Sequence, residues 1–310
     1  MRALLAVAAA VCIAGCGHSD VRATGEPLVV LHAGSLARPL RAALDSFTAD
    51  TRIPVVTVSA GSVEAARRIT ELGDVPDVIA LADAEVFPAL LVPRYVETYS
   101  TFAGNRMVIA LGARRTDAGV DSTNWYRALS APGVEVGRSD PDRDPAGYRA
   151  LMVLRLAERA YRDPSIAQSV LTRSPAANVR PKSSDLLALL QAGALDYAFV
   201  YESSARAAGL RWIELPAAID LGDASRADEY SRVSVRIAGQ SRGDSIEVHG
   251  APIRYALAVP RGAPHPGRAR ELETFLLSAR GLNAMHAAGL DVLKPDAPHP
   301  AVARPVAPRP

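Results

Sequence analysis

The chain has 310 residues, 49% of them apolar, enough for two domains of about 150 residues each and a sizeable core. Thirty-five basic residues against 33 acidic ones leave a net charge of +2, so the chain has neither the basic face that nucleic acid needs nor an acidic tail. Both cysteines, Cys12 and Cys16, lie near the start, which excludes a disulfide framework, a cysteine metal site and a thiol nucleophile from the rest.

Residues 1–15 place one arginine before an apolar run that ends in small residues, the layout of an export signal peptide, too short to span a bilayer. Ile13-Ala14-Gly15-Cys16 resembles the lipobox of bacterial lipoproteins, which makes Cys16 the expected lipidation site and residues 16–26 an anchor and tether. Leu28–His32 reads as a buried strand that runs through Ala33-Gly34-Ser35 into an amphipathic helix. Pro39 forces that helix to begin near Ser35, because proline is tolerated only in a first turn. Val55–Val58 is the next strand, leading through Gly61-Ser62 into a helix over 63–72, on which Glu64, Arg67 and Arg68 read as a solvated face. A third strand is expected over 77–82.

Two apolar strands, 105–111 and 253–259, read as crossings between lobes. One lobe then comprises 27–104 plus 255–298, and the other 105–254. Inside the second lobe, Asp144 followed by Pro145 is a strong helix start, and that helix is expected to end near Arg162. Ser183 and Ser184 precede a helix over 185–192 that Gly193 stops. Tyr197–Tyr201 is a strand, followed by a short helix at Glu202-Ser203-Ser204. The prolines of 299–310 forbid regular structure there. Strand followed by helix, repeated, predicts an α/β fold with a mainly parallel sheet.

Four helix starts, near Ser35, Ser62, Asp144 and Ser183, each gather backbone N–H groups and a small polar side chain. Such turns sit at the carboxyl ends of strands, where open α/β sheets bind ligands. Helix N-termini that converge there suit a small anion without any Lys or Arg. A serine or aspartate in this position is also an ordinary cap, worth about 1 kcal/mol, so capping alone names no ligand. No phosphate loop, nucleophile elbow or zinc-protease motif is present, and the six histidines have no partner at metal-ligand spacing. Asp196, Glu202 and Asp220 have no acid-base partner close in sequence.

The same residues carry a resemblance. AGSL at 33–36, GSVEAARRITELG at 61–73, DVIALAD at 77–83, NWY at 124–126, DPAGYR at 144–149, LLALLQAGALDYAFVY at 186–201, IELPAAIDLG at 213–222 and the IRYALAVP strand are similar to the tungstate/molybdate-binding lipoproteins of ABC importers. The resemblance covers roughly 27–298 in order. It implies a two-lobed periplasmic-binding-protein fold of type II, each lobe a mixed sheet flanked by helices, with a ligand cleft between the lobes. By the same resemblance Gly34, Ser35, Ser62, Asp144 with Pro145 and Ala146, Ser183 and Tyr201 contact the oxyanion.

Members of that family commonly add two carboxylates that reach the metal of the oxyanion. Asp144 matches the first; Ser183 stands at the position of the second, normally glutamate, and Asp185 and Glu202 are the nearby carboxylates. Ser183 can donate a hydrogen bond but cannot be an anionic ligand, so the oxyanion is expected as a hydrogen-bonded tetrahedron or with Asp144 alone on the metal. The implied function is capture of tungstate or molybdate outside the cytoplasm for an ABC permease. The expected protein is a monomer held to a membrane by its lipid, without a cofactor, without catalysis and without nucleic acid. Two alternatives keep the scaffold: another oxyanion or a small organic acid as ligand, or a surface hydrolase or non-transport lipoprotein.

Overall fold

Leu28–Ala33 forms β1, buried along nearly its whole length as a strand covered on both faces should be. The structure, a computed structural model, describes residues 25–116, 119–239, 244–296 and 298–300. The expected signal peptide, Cys16 and residues 301–310 therefore lie outside the described residues. After β1 a single 3-10 turn, Gly34–Leu36, leads into α1 (Ala37–Thr51), and Pro39 falls in the first turn of α1. Then follow β2 (Val55–Ala60), α2 (Ser62–Leu72), β3 (Val78–Leu81) and β4 (Thr98–Gly104). Strand β3 is one residue shorter at each end than the expected 77–82, and the Asp77 carboxylate before it accepts the N–H groups of Val29 and His265, each at 2.8 Å.

The chain then enters a second sheet with β5 (Met107–Leu111) and continues through α3 (Trp125–Ser130), β6 (Val136–Ser139), α4 (Pro145–Tyr161), α5 (Ile166–Thr172) and β7 (Val179–Arg180). Next come α6 (Ser183–Gln191), β8 (Tyr197–Tyr201), α7 (Glu202–Ala207), β9 (Trp212–Glu214) and α8 (Ala227–Tyr230). A hairpin of β10 (Ser234–Ala238) and β11 (Ser245–His249) precedes the return through β12 (Arg254–Ala258), α9 (Pro266–Leu277), α10 (Ala279–Ala287), β13 (Asp291–Val292) and β14 (His299–Pro300). Helix α6 ends where expected: Gly193 adopts φ +69°, the left-handed conformation that only glycine takes without strain.

Two mixed sheets result, the strand pairing that separates the lobes. The first runs β13-β4-β12-β3-β1-β2, with β1 parallel to β2 and β3 and β12 antiparallel to both its neighbours. The second runs β7-β6-β8-β5-β9, with β6, β7 and β8 parallel. Gly104-Asn105-Arg106 carries the chain out of the first sheet, and β12 brings it back. Phe47, Phe87, Phe102 and Tyr255 are fully buried in the first lobe, Trp125, Tyr148 and Phe199 in the second. Burying each such side chain contributes about 1.5–3 kcal/mol.

Regular structure extends slightly beyond the expected start of the proline-rich tail: His299 and Pro300 pair with Tyr99 and Thr98 of β4. An edge position admits proline because its missing N–H breaks no interior ladder bond. Among the described residues no helix is long and apolar enough to cross a membrane.

Candidate functional site

The four expected helix starts lie at the carboxyl ends of β1, β2, β6 and β7, and Tyr201 ends β8. Contacts link them one to the next. A Cβ on Gly61 would lie 2.2 Å from the Arg143 carbonyl oxygen and 3.2 Å from Asp144 Cα, so the β2–α2 turn is pressed against the start of α4. A Cβ on Gly34 would lie 2.7 Å from Ser184 Oγ, which brings the β1 turn against the start of α6. Asp144 Oδ1 accepts the Ala146 N–H at 3.2 Å and Oδ2 accepts the Ser183 N–H at 2.5 Å, so one carboxylate caps α4 and fastens α6 to it. Tyr255 packs edge-on against Tyr201, ring centroids 5.9 Å apart, and its hydroxyl donates to Ser35 Oγ at 3.1 Å.

The polarity of these bonds carries chemical information. Asn105 Nδ2 donates to the Tyr255 hydroxyl at 2.8 Å, and that hydroxyl passes its own proton on to Ser35 Oγ. Ser35 thus receives a bond and keeps its own O–H to give. Ser62 is in the same situation: its Oγ accepts the Ala82 N–H at 3.0 Å while the side chain is fully buried. The Tyr201 hydroxyl is fully buried and has no protein partner. Three hydroxyl protons are thereby left for an acceptor, and a buried donor without a partner costs about 1–3 kcal/mol.

Burial pushes the Asp144 carboxyl above the usual carboxylate range, opposed by the N–H groups of Ser183 and Ala146. Burial likewise drives the Tyr201 phenol well above its ordinary value, with the Arg149 guanidinium opposing and Asp144 and Asp83 adding to the rise. Tyr201 therefore stays protonated and able to donate. Pro145 and Ala146 form the buried first turn of α4, and Gly34 and Ser35 are half-buried. The other two carboxylates near the second position are committed elsewhere. Asp185 lies 3.7 Å from the Lys182 ammonium, and Glu202 is bound by Arg106 and Arg206.

Other functional features were invisible in the sequence. On the α2 face Glu64 and Arg67 are not simply solvated, a correction to the expectation, while Arg68 pairs with Asp74 at the surface. Glu64 Oε1 pairs with Arg143 of the other lobe at 2.8 Å, and Arg67 donates to the carbonyls of Ala238 and Gly239. Lobe apposition, which local sequence does not encode, gives those two side chains partners on the other lobe. Arg149 and Asp83 form a buried ion pair across the lobes, Nη2 to Oδ2 2.7 Å. Asp196 accepts the N–H of Glu135, 61 residues away, and Asp220 accepts the N–H of Gly222, two residues on. Among the described residues no cluster of His, Cys, Asp and Glu could hold a metal ion. Two surface cavities lie away from these turns, one of about 680 Å³ beside β9 and one of about 440 Å³ behind Asn105 and Arg106.

The profile of a family described as bacterial extracellular solute-binding protein matches residues 28–291. An uncharacterized solute-binding protein of Petrotoga mobilis is 40% identical over 88% of this chain and 85% of its own. The molybdate/tungstate-binding protein WtpA of Pyrococcus abyssi is 33% identical over 92% of this chain and 89% of its own. Among solved structures, the periplasmic molybdate-binding protein of Azotobacter vinelandii superposes with a TM-score of 0.60 at 18% identity, covering 85% of this chain and 98% of that one. The sulfate-binding protein SubI of Mycobacterium tuberculosis gives a TM-score of 0.58 at 14% identity, over 86% of each chain. These two likenesses show the periplasmic-binding-protein fold. The matched profile and the sequence relatives show more: the chain belongs to the bacterial extracellular solute-binding protein family, as a homologue of the Pyrococcus abyssi protein.

Proposed function

We propose that this protein captures tungstate or molybdate between its lobes, outside the cytoplasm, and hands it to an ABC permease without chemical turnover. The observation that carries this reading is a set of three hydroxyl donors: Ser35 and Ser62 each accept a protein N–H or O–H and keep a hydroxyl proton, and the buried Tyr201 hydroxyl has no partner. An oxyanion is all acceptor and completes such a set, whereas a ligand with its own O–H or N–H groups would meet donor with donor. The names of the relatives supply the kind of oxyanion, and cavity size would select it over sulfate.

Both Asp144 oxygens already accept an amide N–H, and Ser183 offers no second carboxylate, which supports a hydrogen-bonded tetrahedron. Burial raises the Asp144 pKa, the direction that lessens repulsion between this carboxyl and a dianion. Residues 1–15 would be removed as a signal peptide, Cys16 would carry the lipid anchor, and residues 27–104 with 255–298 and 105–254 would move as the two lobes.

Calorimetric titration with tungstate, molybdate, sulfate and phosphate tests the reading. Micromolar or tighter binding of the first two, with no heat from the others, is the expected result. Silence from tungstate and molybdate would transfer the site to another oxyanion or organic acid, the reading that Ser183 in place of glutamate would then favour. X-ray absorption of the tungstate complex is expected to show four oxygen neighbours, and two protein carboxylate oxygens on the metal would refute the tetrahedral arrangement.

A further inference from the structure

Asp83, Tyr148 and Arg149 meet between the lobes, outside the donor shell. Arg149 Nη2 lies 2.7 Å from Asp83 Oδ2, and both side chains are 2% exposed. The Tyr148 hydroxyl donates to the same carboxylate oxygen, and Arg149 Nη1 donates to the Ala251 carbonyl at 3.1 Å, just before the chain returns to the first lobe. Asp83 belongs to the first lobe, directly after β3, while Tyr148 and Arg149 stand on α4 of the second. Parting the lobes would separate the pair and return both charges to water; closing them brings both out of water together. Such a pair is favourable only while each charge has its partner, and removing one member strands the other.

The position of the cluster links it to the ligand shell. Asp83 follows Ala82, whose N–H holds Ser62 Oγ. Tyr148 and Arg149 lie one turn beyond Asp144 on the same helix, and the Arg149 charge is felt by Tyr201. The ion pair therefore ties the turn that carries Ser62 to the helix that carries Asp144.

We propose that Asp83, Tyr148 and Arg149 form an interlobe latch that closes with the lobes and sets how long the ligand is held. The latch rests on the reading of this protein as a ligand-capturing binding protein, and the test separates the two. Tungstate dissociation from the full chain, followed by stopped-flow tyrosine fluorescence, is expected to be at least about tenfold faster in Asp83→Asn, where Arg149 faces no charge. Association should change by less than about twofold, since encounter precedes closure. Tyr148→Phe removes one oxygen atom and is expected to speed dissociation several-fold; it carries the test should Asp83→Asn fail to fold, as judged by ligand-free melting.

Wild-type binding with dissociation unchanged in both variants overturns the latch and leaves the binding function standing. Absence of tungstate and molybdate binding in the wild type overturns the functional reading. The latch falls with that reading, since without capture there is no ligand for it to hold.

Discussion

At the scale of single residues, Tyr201 is the informative case. Its hydroxyl is buried without a protein partner, so Tyr201→Phe removes a group that contributes nothing to the ligand-free fold and relieves the cost of an unpaired donor. Ligand-free thermal melting should therefore be unchanged or slightly higher. Tungstate affinity should fall about ten- to a hundredfold, the worth of one hydrogen bond to a charged acceptor at about 1.5–3 kcal/mol. Calorimetry beside melting separates the two effects, and equal affinity in the variant would remove Tyr201 from the site. The sequence placed Tyr201 at the end of a strand and Ser35 and Ser62 at helix starts. What it did not disclose was the direction of their hydrogen bonds. Ser35 is oriented by Tyr255, 220 residues away, and no local pattern records such a pairing.

At the scale of elements, Asp144 joins two helices that are far apart in the chain. Its capping of α4 was legible, because Asp before Pro combines a side-chain acceptor with a preset helical φ. Its grip on the Ser183 N–H was not, because it depends on β6 and β7 lying side by side. The raised pKa gives a pH signature. The folded chain holds the Asp144 proton more tightly than the unfolded chain does, so the contribution of this group to stability is present at low pH. It is lost as pH rises from about 4, the unfolded carboxylate value, through the folded one. Asp144→Asn has no such titration. Urea unfolding across that range should show the stability of the variant gaining on that of wild type as pH rises, and parallel curves would show that burial does not perturb Asp144.

At the scale of the molecule, the proposed capture requires the lobes to meet closely, and Gly61 stands where they touch. Its φ of −69° suits alanine, so Gly61→Ala should leave the separate lobes and ligand-free melting almost untouched. In the closed arrangement, however, the new Cβ would lie 2.2 Å from the Arg143 carbonyl oxygen. Relieving that clash should cost about 1–3 kcal/mol and weaken tungstate binding about ten- to a hundredfold. X-ray scattering should show less compaction with tungstate than in wild type, and full compaction with unaltered affinity would show that the turn yields.

The sequence by itself determined the α/β class, the strand-to-helix turns at Ser35, Ser62, Asp144 and Ser183, and the end of α6 at Gly193, because capping, proline geometry and apolar periodicity act over a few residues. The side-chain partners of Asp77 and Asn105, the interlobe contacts of Glu64 and Arg67, and the Asp83–Arg149 pair were decided only by tertiary structure. Each depends on groups tens to hundreds of residues apart that meet only when two sheets pack and two lobes close. A charged side chain on a helix reads as solvated until a second surface removes the water.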